Sequence, residues 1–577
     1  MNILQGTAAS SGLARGRAVV FVRSEYTVET AEVDDPEAEI SRLTTAVATA
    51  VEELVRVKER MRNEMGEESA HIFRSQQTFL EDETILGEIQ ETVRNRRVSA
   101  EAAVQEVFGT YLSMFEELGE DDYNRARMTD LDDVQKRLLR NLMGNEETDL
   151  SALEKDSIVV ATELFPSDTA GMNADNVVGM ITEKGGLTSH VAILARNRGI
   201  PAAVGVENAC SEVTEGETLW LDATDPEMGT VYVSPDPDTV RKLEERRERE
   251  QARQAALAQE KELAAVTSDG HEVTVSANVG SEEEIPWARD AGADSVGLFR
   301  SEFLFMNQSS LPGEERQYEV YRRAAETFSD GFVILRTIDI GGDKPIASIS
   351  LPEESNPFLG YRGVRISLDN PSLLRDQVRA ALRASTKGRM KLMFPMISGL
   401  NEMKRLLAAV GDIKSELTRD GIDYDADAEV GIMVEVPSAV FMARELATLV
   451  DFVSIGTNDL TQYLLAADRM NEKVGDYYQP FHPAVFRAIE VVVEALHAEG
   501  KWVGVCGELA GMPLAVPALV GLGVDELSMS PKALAEAKHI IRRTDMGSIR
   551  DTVEKVMAAS EEDEVKDILK DLRITEE

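Results

Sequence analysis

From Glu272 onward the sequence repeats one arrangement eight times: an apolar run, a glycine-rich or polar loop, then a helix-patterned stretch. The apolar runs are Val273 to Asn278, Ser295 to Phe299, Phe332 to Ile338, Lys391 to Met396, Val430 to Glu435, Phe452 to Ile455, Trp502 to Cys506 and Glu526 to Met529. Short apolar runs alternating with helical segments predict parallel strands joined by crossover helices. Eight such units in about 300 residues match a (β/α)8 TIM barrel in number and length. A doubly wound sheet is the alternative that this alternation leaves open.

A barrel gathers its reactive groups where strands end and loops begin, and polar residues stand at that edge of nearly every unit. Arg300 ends the second run and Arg336 lies in the third. Glu435 closes the fifth, Asn458 and Asp459 follow the sixth with Arg469 a little beyond, and Cys506 ends the seventh. Arginines offer forked donors to phosphate and carboxylate, and acidic side chains supply hard oxygen ligands to Mg²⁺, which bridges to substrate phosphate. The natural occupant is a small phosphorylated carboxylic acid with magnesium. Taken singly, each residue also has a structural reading: a surface ion pair for an arginine, a helix cap for Glu435 or Asp459, a core position for Cys506.

Ahead of the barrel lies a second feature, Lys184-Gly-Gly-Leu-Thr-Ser-His190, between the apolar run Val177 to Ile181 and a short helix predicted over Val191 to Arg198. The two glycines permit a tight turn and close approach of a ligand, and a helix start favours an anion. His190 is therefore a candidate phosphate carrier; from the loop alone it reads equally as a capping or buried histidine.

The N-terminal part divides by texture. Gly12 to Phe21 is strand-like, and strands recur at Ser157 to Thr162, Val177 to Ile181, Ala202 to Val204, Thr218 to Ala223 and Thr230 to Val233. Between them, Asp34 to about Gly144 is nearly proline-free, dense in Glu and Arg, and helix-patterned: Leu43, Val47, Val51, Leu54 and Met61 share one face, as do Leu131, Val134, Leu138 and Leu142. Four or five helices inserted into a small α/β domain are expected. The expected organisation is an α/β domain over 1–24 and 146–234 that carries His190, an all-α subdomain over 25–145, a helical linker over 235–265 and the barrel over 266–577. Opposite charges three or four residues apart make the linker a solvated strut.

The net charge is −43, from 104 acidic and 61 basic residues. That excludes a generic nucleic-acid surface and argues against an anionic membrane partner. It reads as adaptation to a salt-rich cytoplasm, where screening shrinks self-repulsion, or as a merely acidic protein. Two cysteines, Cys210 and Cys506, fit a reducing compartment. With neither a membrane-length apolar run nor a signal peptide, a cytoplasmic location is expected.

The Gly-Gly-x-Thr-Ser-His loop with its Ala-Arg helix and Pro201-Ala-Ala-Val-Gly205 strand resembles the phosphohistidine loop of the phosphoenolpyruvate-utilising enzymes. The barrel motifs resemble that family's substrate barrel, including Asn356-Pro-Phe-Leu-Gly-Tyr-Arg-Gly-Val-Arg365 and Met393-Phe-Pro-Met396. The helical insertion, with Glu81-Asp-Glu83 and Asp132 to Asn141, is similar to that of the Enzyme I group, and there is no room ahead of the loop for the nucleotide domain of the synthase and dikinase groups. The resemblance implies that the phosphohistidine domain swivels, that His190 forms the phosphohistidine and that Cys506 gives a proton to the enolate. It further implies that Arg300, Arg336, Asn458, Asp459 and Arg469 hold phosphoenolpyruvate, with Arg362 nearby, and that Glu435 and Asp459 hold Mg²⁺. Pyruvate as product, the histidine-containing phosphocarrier HPr as partner at the helices, a role in sugar uptake and a homodimer through the barrel follow in the same way. Leu187 departs from the family's frequent arginine, and Ser11 from its proline. A nucleotide-dependent enzyme and a regulatory phosphocarrier with another acceptor are the rival readings.

Overall fold

A computed structural model describes residues 2–21, 32–70, 72–117, 122–144, 150, 153–165, 168–169, 172–186, 189–225, 228–306, 310–341, 351–352 and 354–572. Inside its elements the side chains of 57, 59–70, 72–75, 116–117, 122–126, 129, 174, 190, 193, 197 and 472 are outside that description. The chain divides into two compact units, Met1–Gln251 and Ala252–Glu577.

In the first unit, β1 (Asn2–Ser10), β2 (Leu13–Phe21), β3 (Ser157–Ala161), β4 (Val177–Thr182), β5 (Ala202–Val204), β6 (Thr218–Asp222) and β7 (Gly229–Val233) close into a barrel in the order β1-β5-β4-β3-β2-β6-β7. The sequence reading did not single out β1. Its outer half is largely exposed and carries Asn2, Gln5 and Gly6, so the alternation that marks a half-buried strand is weak there. The β2–β3 pairing is parallel, Arg17 with Ser157 through Phe21 with Ala161, although some 135 residues separate them. Those residues hold helices α1 (Pro36–Ala70), α2 (Ile72–Leu80), α3 (Glu83–Arg96), α4 (Ala100–Glu117) and α5 (Asp122–Met143), an excursion from one strand edge.

The excursion has its own core. Ile40, Leu43, Ala46, Ala50 and Leu54 from α1 meet Ile85, Ile89 and Val93 from α3 and Leu131, Val134, Leu138 and Leu142 from α5. Three- and four-residue spacing puts these on single helical stripes. Val47 and Val51 border the core, and the Met61 side chain lies outside the described residues. Asp82 starts α3 by accepting from the amides of Thr84 and Ile85, and Arg97 ends it in a left-handed conformation.

Helix α6 (His190–Arg198) follows β4, and α7 (Pro237–Glu260) is the charged strut, with Leu243 and Leu257 buried along it. The division between the units falls within α7.

The second unit is a closed parallel barrel of β8 (Thr274–Val279), β9 (Ser295–Arg300), β10 (Phe332–Arg336), β11 (Arg389–Phe394), β12 (Val430–Val434), β13 (Phe452–Ile455), β14 (Trp502–Val505) and β15 (Glu526–Met529). Strand β15 returns to β8, pairing Glu526 with Thr274, so no edge remains and a doubly wound sheet is ruled out. Residues at or near the start of their strands fill the N-terminal end: Phe452 and Trp502 stack at 4.6 Å, and Lys391 Nζ lies 4.4 Å from the Trp502 ring and 4.5 Å from that of Phe332. That end is packed, which leaves function to the other. No helix among the described residues is long and apolar enough to cross a membrane.

Candidate active site

Two constellations carry chemistry, one in each unit. In the first, β4 runs into a turn at which Gly185 takes φ 102°, a conformation that a side chain would strain, and a Cβ there would press at 3.2 Å on Ser189. Ser189 caps α6, its hydroxyl accepting from the Ala192 amide at 3.4 Å, and Gly199 closes the helix with φ 67°. His190 is thus the first residue of α6, at the helix end where N–H groups have no intrahelical acceptor and the helix dipole is positive. The His190 imidazole, and the whole of Leu187 and Thr188, lie outside the described residues.

The second lies at the C-terminal ends of the barrel strands. Arg300 ends β9 in register with Arg336, which ends β10; Arg300 is exposed and Arg336 buried. The Arg336 guanidinium pairs with Glu302 and, at 3.3 Å, with Asp339, while its Nε is buried without a partner. Arg362 sits fully buried between two carboxylates. Its Nε and Nη2 reach Asp339 at 3.0 and 2.9 Å, and Nη1 and Nη2 each reach Asp459 at 3.1 Å. Two forked pairs on one guanidinium hold both acids in a single plane of charge. Burial alone would lower the pKa of Arg362, but Asp339 and Asp459 outweigh it and hold the group firmly charged.

Glu435 follows β12. One of its oxygens accepts from the Met396 amide at 2.7 Å, with Met396 at φ 57°, and the other is buried and unpartnered. Burial, then the charges of Asp459 and Asp339, raise its pKa well above the carboxylate range, against the pull of Arg362 and Arg336. Gly456 leaves space beside that free oxygen, which lies 3.2 Å from where a Cβ would stand.

Asn458 and Asp459 occupy the first turn of the helix Thr457–Leu465 after β13. Asn458 donates to Glu508 at 3.2 Å and accepts from the Glu508 amide at 2.8 Å, so the loops after β13 and β14 are tied together. Arg469 Nη1 lies 3.7 Å from Asp459 and is buried without a hydrogen bond. Cys506 follows β14 with its thiol buried, 3.7 Å from the Ile455 carbonyl. Burial is the main reason that its pKa is pushed up to about 12, with smaller contributions from Glu526 and Glu435. The thiol therefore keeps its proton at neutral pH and suits an acid better than a nucleophile.

The structure brings Arg336, Glu435, Asp459, Arg469 and Cys506 into one electrostatic cluster, with Asn458 on its rim and Arg300 on the adjoining strand end. Neither Glu435 nor Asp459 caps a helix through its side chain. Glu302, Asp339 and Glu508 belong to the cluster and were not singled out from the sequence. The available signal was an acidic residue set in apolar company, as in Thr337-Ile-Asp-Ile340. No group of three or more His, Cys, Asp or Glu among the described residues forms a metal cage.

Three family descriptions match the chain: "PEP-utilising enzyme, N-terminal" over residues 5–127, "PEP-utilising enzyme, mobile domain" over 153–225 and "PEP-utilising enzyme, PEP-binding domain" over 254–546. The chain is 41% identical over 571 residues to phosphoenolpyruvate-protein phosphotransferase of Bacillus subtilis, covering 99% of this chain and 100% of that protein. It is 42% identical to the protein of that name from Geobacillus stearothermophilus over 97% of this chain and 96% of the other. To the Haemophilus influenzae protein of that name it is 40% identical over 98% of each.

Proposed function

This chain belongs to the PEP-utilising enzymes, in the group of the phosphoenolpyruvate-protein phosphotransferases, and from that premise we propose that it moves phosphate in two steps. Phosphoenolpyruvate phosphorylates His190, releasing pyruvate, and the phosphoryl group then passes to a histidine of HPr as the first general step of sugar uptake. The observation that carries the reading is the strand-end cluster: buried arginines and carboxylates beside a thiol that holds its proton.

Each residue has work suited to its setting. Arg300 and Arg469 offer guanidinium groups for phosphate and carboxylate, Arg336 its unpartnered Nε, and Asn458 its amide from the tied loops. Phosphoryl transfer asks chiefly for positioning and neutralisation of charge, which these residues supply. Glu435 and Asp459 would hold a divalent cation, Mg²⁺ by their chemistry: two hard carboxylates suit an ion that keeps several of its waters. The orphaned Glu435 oxygen, with space at Gly456, fits such an ion. When bound, the cation neutralises charge on the phosphate and the departing enolate oxygen. Cys506 gives its proton to the enolate carbon, and the ketone so formed makes the transfer favourable.

A donor at the barrel and an acceptor at the helices require the His190 domain to swivel, for which the linker over 235–265 and the segment near 145–150, of which 145–149 lie outside the described residues, are the hinge candidates. The exposed acidic residues Glu81 and Glu83 support an HPr surface with a basic rim; the Glu67 and Glu68 side chains lie outside the described residues. Exposed Leu359, Phe441, Met470 and Tyr477 on the barrel unit support a homodimer through it. The net charge of −43 supports work in a salt-rich cytoplasm.

The test is a chase. Chain labelled by [32P]phosphoenolpyruvate with Mg²⁺ should hand its label to added HPr and yield one pyruvate per phosphate moved. Label that appears from ATP alone, or that stays on the chain when HPr is added, overturns the proposal.

A further inference from the structure

Behind the strand end that carries Arg336 runs a line of buried polar side chains that the proposed reaction does not use. Gln317 and Tyr321 come from the helix Glu314–Thr327, Gln377 from the helix Pro371–Ala384, and Ser301 from the turn Ser301–Leu304 that follows β9. Solvent reaches none of the four. Gln317 Nε2 donates to the Pro312 carbonyl at 2.9 Å, and the Gln317 oxygen accepts from the Tyr321 hydroxyl at 3.0 Å. Gln377 Nε2 donates to the Tyr321 oxygen at 3.2 Å and to Ser301 Oγ at 3.0 Å. Ser301 in turn donates to the Arg336 carbonyl at 2.8 Å, and Gln377 Oε1 accepts from the Ile338 amide at 2.8 Å.

Every bond in this line has one possible direction. A backbone N–H only donates, so the Gln377 oxygen must face Ile338 and its nitrogen must face Ser301 and Tyr321. One side-chain amide thereby holds the chain on both sides of Thr337. The turn that supplies Ser301 also supplies Glu302, which pairs with the Arg336 guanidinium and accepts from the Asp339 amide at 3.1 Å. Arg336 is gripped at its carbonyl and at its guanidinium by consecutive residues, and Gln377 sets where the first of them stands. Apolar side chains of the same shape would fill this space at little cost in stability, whereas a fully paired polar line admits a single arrangement.

We infer that Gln377 is a positioning residue for the reaction: through Ser301 and the Ile338 amide it fixes where Arg336 presents its unpartnered Nε to phosphoenolpyruvate. The inference rests on the reading that Arg336 holds that substrate. A planar guanidinium helps only when it is aimed, and a displacement of about 1 Å costs up to about a hundredfold in rate.

The test separates aim from fold. Single-turnover labelling of the full-length chain by labelled phosphoenolpyruvate with Mg²⁺ is followed against substrate concentration, which gives an amplitude, a maximal rate and a half-saturating concentration. Gln377→Met keeps the volume and removes the bonds; it should raise the half-saturating concentration about tenfold. A role confined to stability would lower the amplitude, through fewer active molecules, and leave half-saturation alone. In an Arg336→Met chain the same change should add less than about twofold, because the group being aimed is gone. Unchanged half-saturation in Gln377→Met, or a tenfold rise that persists without Arg336, overturns the inference. Should Gln377→Met fail to fold by circular dichroism, Tyr321→Phe, which takes one partner from the Gln377 amide, decides by the same cycle with an expected rise of about threefold. If Arg336→Met alone keeps the wild-type half-saturation, the substrate role of Arg336 fails, and the inference falls with it for that separate reason.

Discussion

Alkylation of Cys506 tests the electrostatics of the site before any substrate is added. The thiol is 2% exposed and enclosed by Leu298, Ile334, Met393, Met433 and Phe452. Burial is the largest reason that its pKa rises from the ordinary 9.0 to about 12. A rise of that size corresponds to about 4 kcal/mol against the thiolate, and at pH 8 it cuts the reactive fraction about a thousandfold. The perturbation is iodoacetamide at a series of pH values, and the assay is the rate of modification of the Cys506 peptide by mass spectrometry. Shielding lowers the rate by a constant factor, whereas ionisation sets its slope. The rate should climb about tenfold per pH unit through pH 10 without levelling. A profile that levels off by pH 10 would show an ordinary thiol and refute the assignment of Cys506 as a resident acid.

Three further outcomes follow from the same geometry. Arg362→Met strands Asp339 and Asp459 in the interior and should cost about 3–5 kcal/mol in urea unfolding of the barrel unit, part of which Asp339→Asn in the same chain restores. Because Glu435 is held protonated by burial and by its acidic neighbours, Mg²⁺ binding followed by calorimetry should release protons and strengthen as pH rises through neutrality; a pH-independent affinity would remove Glu435 from the ligand set. The native Glu526 carboxyl keeps a proton that the unfolded chain loses above its ordinary 4.5, so metal-free stability should fall as pH rises from about 5 to 8. Glu526→Gln should flatten that slope in urea titrations at pH 6 and pH 8, and an unchanged slope would contradict the burial argument.

The barrel was legible because its strands are punctuated. The runs at Phe452 to Ile455 and Glu526 to Met529 coincide with β13 and β15, and the other six differ by one to two residues at their ends. The helical excursion was legible for the same reason, as a change of period between two strand regions. Strand β1 escaped because a strand that pairs at both edges but exposes half its length has no clean alternation. At the site, the sequence named strand-end residues but not the side chains they meet. Sequence spacing says nothing of which acid meets which arginine, so Arg362 as a bridge between Asp339 and Asp459 emerged only from the fold. Glu526 was hidden differently: a carboxylate at the start of a strand reads as a solvated end, and only the glycines on two other strands reveal that it points inward.

The central claim is that His190 takes phosphate from phosphoenolpyruvate. Full-length chain, incubated with labelled phosphoenolpyruvate and Mg²⁺ and no nucleotide, should gain one acid-labile phosphate, mapped to the His190 peptide. The His190→Ala variant should gain none while still binding phosphoenolpyruvate. Stable label on His190→Ala, or label mapped to another residue in wild type, would contradict the account.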